Sequence, residues 1–138
     1  MALQYSFQNQ KTTRLVSSTC NCSWAITSST NVELLVTSPS GKKTGYLQTS
    51  NKYVNELPDA SYGIENPDVL YFGQNNPENG TYTLQVIGKQ SGMYDLQISI
   101  AYGPMKGKSI PINGTMVSDQ ADEYTIRLPD GLVKKIND

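Results

Sequence analysis

The chain has 138 residues and not one histidine. A Ser-His-Asp or Cys-His relay needs an imidazole to carry its proton, so hydrolysis by those routes is excluded in its usual form. A zinc site normally draws on four ligands, and here two cysteines are all the thiolates that could join the carboxylates. Charge is scarce too: Asp, Glu, Lys and Arg make up 17% of the residues, for a net charge of -1. That balance gives no basic field for nucleic acid, which is not expected as a partner. No apolar run approaches the roughly 20 residues that span a bilayer as a helix, so no membrane insertion is expected. Residues 1–7 lack the basic opening and apolar block of a secretory signal; an exported protein would be seen here as a mature or excised piece.

What the chain does have is Ser, Thr, Asn, Gln, Gly and nine tyrosines, the composition of an extracellular all-β domain. Its length suits a single domain, residues 1–138, that folds around one core without metals or disulfides. Cys20 and Cys22 flank Asn21 in a C-x-C. On an extended strand their Cα atoms would lie about 6.5 to 7 Å apart, at the outer limit of disulfide geometry. Two free or semi-buried thiols are therefore the first expectation. A bridge, local or intermolecular, would need a bend, and a metal or redox role comes third.

The hydrophobic period is two almost throughout. Val32, Leu34 and Val36 share a face, and Pro39-Ser40-Gly41-Lys42 then turns the chain into a hairpin. Tyr82, Leu84 and Val86 alternate with polar residues, as do Tyr94, Leu96, Ile98 and Ile100; residues 87–92 between them suit a hairpin loop. Further strands are expected at residues 5–8, 14–17, 22–27, 46–49, 69–72, 110–117 and 123–128, and no segment carries a helical period. Residues 48–67 read as an irregular crossing connection, and residues 130–138 as a tail, linker or last edge strand. The fold class is all-β with little or no helix, an antiparallel β-sandwich of immunoglobulin-like or jelly-roll-like form, with a closed barrel as second choice.

The stretches "NVELLVTSPSGKKTG", "VNELPDASY" and "NPENGTYTLQVIGKQSGMYDLQI" together resemble the β-sandwich modules related to bacterial pre-peptidase C-terminal domains and the immunoglobulin-like repeats appended to secreted enzymes. In those modules a strand ends in an Asp/Ser-Pro-x-Gly turn, matched by Ser38-Pro39-Ser40-Gly41. A pair of Gly-x-Tyr-x-Leu phrases, matched around Tyr82 and Tyr94, forms a core hairpin. The resemblance covers about half of the chain. Many such modules carry aspartate where Ser38 stands, which weakens an inherited calcium site. The resemblance implies a non-catalytic accessory domain, with "INGTMVSDQADEYTIRL" as its closing strands and Tyr124, Ile126 and Leu128 on their core face.

Candidate chemistry is thin. Ser40-Gly41-Lys42-Lys43 fits S-x-x-K, but that dyad works on a helix and this one sits on a turn. Glu33, Glu56, Glu65, Glu78 and Glu123 are scattered singly, the pattern of solvated surface charge rather than a glycosidase pair. Calcium is the one cofactor with a candidate set, Asp59, Glu65 and Asp68 with Asn66, which fall close together in the sequence and carry hard oxygen donors. Carbohydrate binding is the sharper idea, since tyrosines and Trp24 stack on sugar rings. Alternation assigns Tyr82, Tyr94, Tyr124 and Trp24 to the core, leaving Tyr46, Tyr53, Tyr62 and Tyr102 as candidate ligand-binding rings. Asn21, Asn79 and Asn113 match the N-glycosylation spacing, although Asn-Gly is equally a turn former.

The expected function is a non-enzymatic accessory or interaction module of a bacterial secreted or cell-surface protein, whose partner is a protein or polysaccharide at that surface. The alternatives are a carbohydrate-binding module and a structural subunit that self-associates by edge-strand pairing.

Overall fold

The computed structural model describes residues 19–65 and 68–136. The strands expected at 5–8 and 14–17 lie outside the described residues. Eleven strands follow in order: β1 Ser23–Ser28, β2 Val32–Thr37, β3 Lys43–Leu47, β4 Lys52–Asn55, β5 Ala60–Glu65, β6 Val69–Asn75, β7 Gly80–Gly88, β8 Gly92–Gly103, β9 Lys106–Met116, β10 Ala121–Leu128 and β11 Leu132–Lys135. They form two antiparallel sheets packed face to face, a β-sandwich. The smaller sheet runs β9-β8-β1-β6-β5 and the larger β11-β10-β7-β2-β3-β4.

The alternating residues of facing strands fill the space between the sheets. Val32, Leu34 and Val36 of β2, Tyr82, Leu84 and Val86 of β7, and Tyr124, Ile126 and Leu128 of β10 come from the larger sheet. Trp24 and Ile26 of β1, Phe72 of β6, and Tyr94, Leu96, Ile98 and Ile100 of β8 meet them from the smaller one. Trp24 is the centrepiece, edge-on to Phe72 at 5.1 Å and to Tyr82 at 5.0 Å, with its indole N–H satisfied by Gln74 Oε1 at 3.1 Å. A buried indole N–H without an acceptor would be costly, so Gln74 is buried for a reason.

The faces of β7 and β8 are as expected, but the hairpin between them does not exist. β7 lies between β10 and β2, whereas β8 lies between β9 and β1 in the opposite sheet. Alternation reports which side of a strand is apolar, and strands on both sides of a sandwich core meet that description equally. Residues 89–91, fully extended, span roughly 10 Å, which matches the spacing between packed sheets. Their amides bond outward rather than to each other, Lys89 and Gln90 both donating to Asn31 O at 2.9 and 3.2 Å.

Near this crossover the two sheets are tied by a polar chain. Tyr94 of β8 donates to Asp122 Oδ2 of β10 at 2.7 Å, so its hydroxyl oxygen is left to accept from Tyr124 at 2.7 Å. Lys135 of β11 stands 3.8 Å from the same carboxylate oxygen. The Tyr94 ring lies across Gly114 of β9, where an added Cβ would stand 2.5 Å from the ring. Asn113-Gly114 is therefore mid-strand rather than a turn: the glycine is there to make room.

Two other expectations are corrected, and the alternatives for the C-terminal residues are decided in favour of a last edge strand. Residues 48–67 contain two strands, β4 and β5, and the crossing between sheets is confined to residues 56–59. Both strands sit at sheet edges, where one flank is unpaired and the alternation that marks a half-buried strand fades. Residues 130–136 are no loose tail, because β11 pairs with β10 from Arg127↔Leu132 to Tyr124↔Lys135. Finally, Cys20 and Cys22 are bridged. They precede β1, and the bend at Asn21 and Cys22 draws their Cα atoms to 5.1 Å, well inside bonding range.

Candidate functional site

The larger sheet splits at Gly45. The β2–β3 ladder runs only from Thr37↔Lys43 to Leu35↔Gly45. There the backbone takes φ +129°, and any Cβ would collide with the Leu34 carbonyl oxygen. A side chain at this position would force the strands apart sooner, so glycine lets β3 stay paired up to the point where it leaves. Beyond it, the Leu34 N–H has no strand partner. It donates instead to the Tyr62 hydroxyl at 2.8 Å, a side chain arriving from β5 of the other sheet.

That hydroxyl is one of two that grip a carboxylate. Tyr62 donates to Glu33 Oε1 and Tyr53 to Glu33 Oε2, each at 2.5 Å. Lys89, half exposed at the end of β7, brings its ammonium to 3.9 Å from Oε2. Glu33 itself is 6% exposed. The Tyr53 ring stands 6.0 Å from Tyr62 on one side and 5.3 Å from Tyr46 on the other, and Tyr46 and Tyr53 are direct cross-strand partners. The hydrogen bond to Glu33, with help from burial, pushes the Tyr53 hydroxyl up to about 12. Burial and then the same carboxylate raise Tyr62 further still. Both phenols stay protonated and remain donors through the neutral range.

Glu33, Tyr53, Tyr62 and Lys89 line a cleft of about 430 Å3 between the edge strands β4 and β5, floored by Leu70 and flanked by Ile64, with Tyr46 behind Tyr53 and outside the lining. Tyr53 and Ile64 are 61% and 60% exposed, unusual for large apolar side chains beside a buried charge. Burying a carboxylate costs free energy that its partners only partly offset, and an apolar cluster replacing all of these groups would serve a fold as well or better. A cluster that breaks the local rule in this way marks a functional candidate.

The structure thus gathers Tyr46, Tyr53 and Tyr62 and leaves Tyr102 elsewhere, where its hydroxyl donates to the Pro129 carbonyl. Of the calcium set, Asn66 lies outside the described residues and the other three are not gathered at one point. Asp59 precedes β5 and Glu65 ends it, so an extended strand of roughly 17 to 20 Å separates them; Asp68 lies at the Glu65 end. Among the described residues no group of three or more His, Cys, Asp or Glu is placed to hold a metal. Glu33 is the residue that sequence reading missed by assigning it to the solvated surface. Its signal was there in Val32-Glu33-Leu34-Leu35-Val36, a run apolar on both faces, in which a strand is buried on both sides and a charge must be held by something.

A second depression, about 540 Å3, crosses the outer face of the smaller sheet. One cross-strand row supplies its floor, Ser109–Ser99–Ala25–Gly73–Ser61, and the hydroxyl end of Tyr71 occupies the space over Gly73. It is larger than the cleft, but its charged lining residues, Asp59 and Lys108, belong to opposite edges of the sheet. Among the described residues no helix is long and apolar enough to cross a membrane. Comparison with protein-family models, with curated proteins and with solved structures returns no match.

Proposed function

We propose that this chain is a non-catalytic accessory module of a secreted or cell-surface bacterial protein, and that it acts by binding at the flank of its sandwich. The observation that carries the reading is the cleft itself, with its exposed Tyr53 ring beside a carboxylate held by two phenolic donors and a nearby ammonium. Glu33 is a poor general base there, since both of its oxygens already accept phenolic hydrogen bonds and a cation stands alongside. The Cys20–Cys22 bridge supports an oxidising compartment. The resemblance of the "GTYTLQV" and "GMYDLQI" stretches to appended modules supports the accessory role, although here the two strands face each other across the core rather than pairing.

Self-association by edge strands is the weaker alternative. The long edge strand β9 carries Lys106, Lys108 and Pro111, the kinds of residue that discourage strand addition. The test of the main reading is location and redox state. Antibody raised against the chain labels intact source cells from outside, and both thiols accept an alkylating agent only after reduction. An intracellular pool with two free thiols would overturn it.

A further inference from the structure

We propose that the cleft between β4 and β5 binds one pyranose ring of a neutral glycan, with Tyr53 as the stacking platform and Lys89 as the principal hydroxyl ligand. The inference rests on the binding-module reading above and adds the ligand class.

Three observations lead to it. The first is the pairing of surfaces. Tyr53 and Ile64 offer exposed apolar area on the two edge strands, with Leu70 beneath them. A pyranose has one face of C–H groups that suits such area and an equator of hydroxyls that does not. The second is charge. Glu33 and Lys89 face each other at 3.9 Å and cancel. A cationic ligand in the cleft would meet Lys89 and an anionic one would meet Glu33, so the cleft selects against both and favours a neutral polyol. The third is the remaining hydrogen-bonding capacity. The Tyr62 hydroxyl donates to Glu33 and already accepts from Leu34 N. Tyr53 also donates to Glu33, but its oxygen keeps acceptor capacity, and the half-exposed ammonium of Lys89 keeps donors to spare. One acceptor and one multiple donor beside an open ring are what a vicinal diol needs. The volume of about 430 Å3 lies within the range of small-ligand sites.

Glu33 is a positioning residue in this arrangement. It fixes the Tyr53 ring through the phenolic hydrogen bond and lies too deep to serve as the main contact.

The test is titration of the isotope-labelled protein with neutral mono- and oligosaccharides of glucose, mannose, galactose and N-acetylglucosamine, followed by amide chemical shifts. The expected result is saturable shifts at Leu34, Tyr53, Ile64 and Lys89 with at least one of these sugars. Tyr53→Ala should weaken that binding about thirtyfold or more, whereas Tyr53→Phe, which keeps the ring but loses the acceptor oxygen and the bond to Glu33, should weaken it less, about threefold to tenfold. Tyr102→Ala should leave it unchanged. The proposal is overturned if no sugar in the panel shifts the cleft residues at about 10 mM. It is equally overturned if shifts map to the outer face of the smaller sheet, if Tyr53→Ala binds as well as the parent, or if only an extended peptide added along β4 or β5 perturbs them. An intracellular, reduced protein that still bound sugar in the cleft would separate failure of the compartment reading from failure of this one.

Discussion

Two clusters in this sandwich are built from the same parts and face solvent differently. Each has two tyrosines, one carboxylate and one lysine: Tyr53, Tyr62, Glu33 and Lys89 at one place, Tyr94, Tyr124, Asp122 and Lys135 at the other. In the second, Tyr94 is fully buried and its ring fills the space over Gly114. The polar chain there is what lets two large phenols sit in the core without orphaned hydroxyls. In the first, Tyr53 stands mostly in the open, although its hydroxyl is as firmly held. Hydrogen bonding alone therefore does not tell a structural cluster from a binding one. The exposed apolar face left beside it does.

Alkali should break the comparison most completely. Tyr62, Tyr82 and Tyr94 are raised first of all by burial, and Tyr53 to about 12 by its bond to Glu33. Free tyrosine in the unfolded chain ionises near 10, so between pH 10 and the higher folded values the unfolded state has lost protons that the native state keeps. Stability is then fully present below pH 10 and falls as pH rises through 12 and beyond. Absorbance at 295 nm should show Tyr53 ionising near pH 12 and the buried phenols only with loss of the near-ultraviolet circular dichroism. Four phenols titrating together near 10 would contradict the burial.

Next in size is Tyr94→Ala, which should cost ~3 to 5 kcal/mol in a urea titration, through lost burial and the cavity over Gly114. Tyr53→Ala should cost less in the same titration, about 1 kcal/mol, because its ring is mostly exposed but its hydroxyl is a donor to the buried Glu33. Equal effects would erase the distinction between the clusters. Tyr62→Phe lies between them at about 1 to 3 kcal/mol, because it strands the Leu34 N–H and takes a donor from Glu33. Reducing Cys20–Cys22 should have a small effect, about 1.5 kcal/mol at most, since a bridge closing so few residues removes little denatured-state entropy. Thermal melts with and without reductant measure it.

The sequence showed the core almost residue by residue, because Tyr82, Leu84, Val86, Tyr94, Leu96 and Ile98 each obey the period of two. It did not show which of those strands are neighbours. That depends on where the chain changes sheets, and the three-residue step from Gly88 to Gly92 could equally have been a hairpin loop. The candidate rings Tyr46, Tyr53 and Tyr62 were legible as tyrosines outside the apolar pattern. Their meeting point was not, since it arises from the departure of β3 at Gly45 and the arrival of β5 from the other sheet. Glu33 was hidden by the habit of placing isolated carboxylates in water. The bend that closes Cys20 onto Cys22 left no mark in composition.

The split at Gly45 has one more consequence. In a regular sheet a central-strand amide is locked by its neighbour's carbonyl and reports only on opening of the ladder. Leu34 instead gives its proton to a phenolic oxygen from the opposite layer, so its hydrogen exchange follows the position of one side chain. Slowed exchange at that single amide, with its neighbours unchanged, would be an intrinsic gauge of occupancy that needs no label on the ligand.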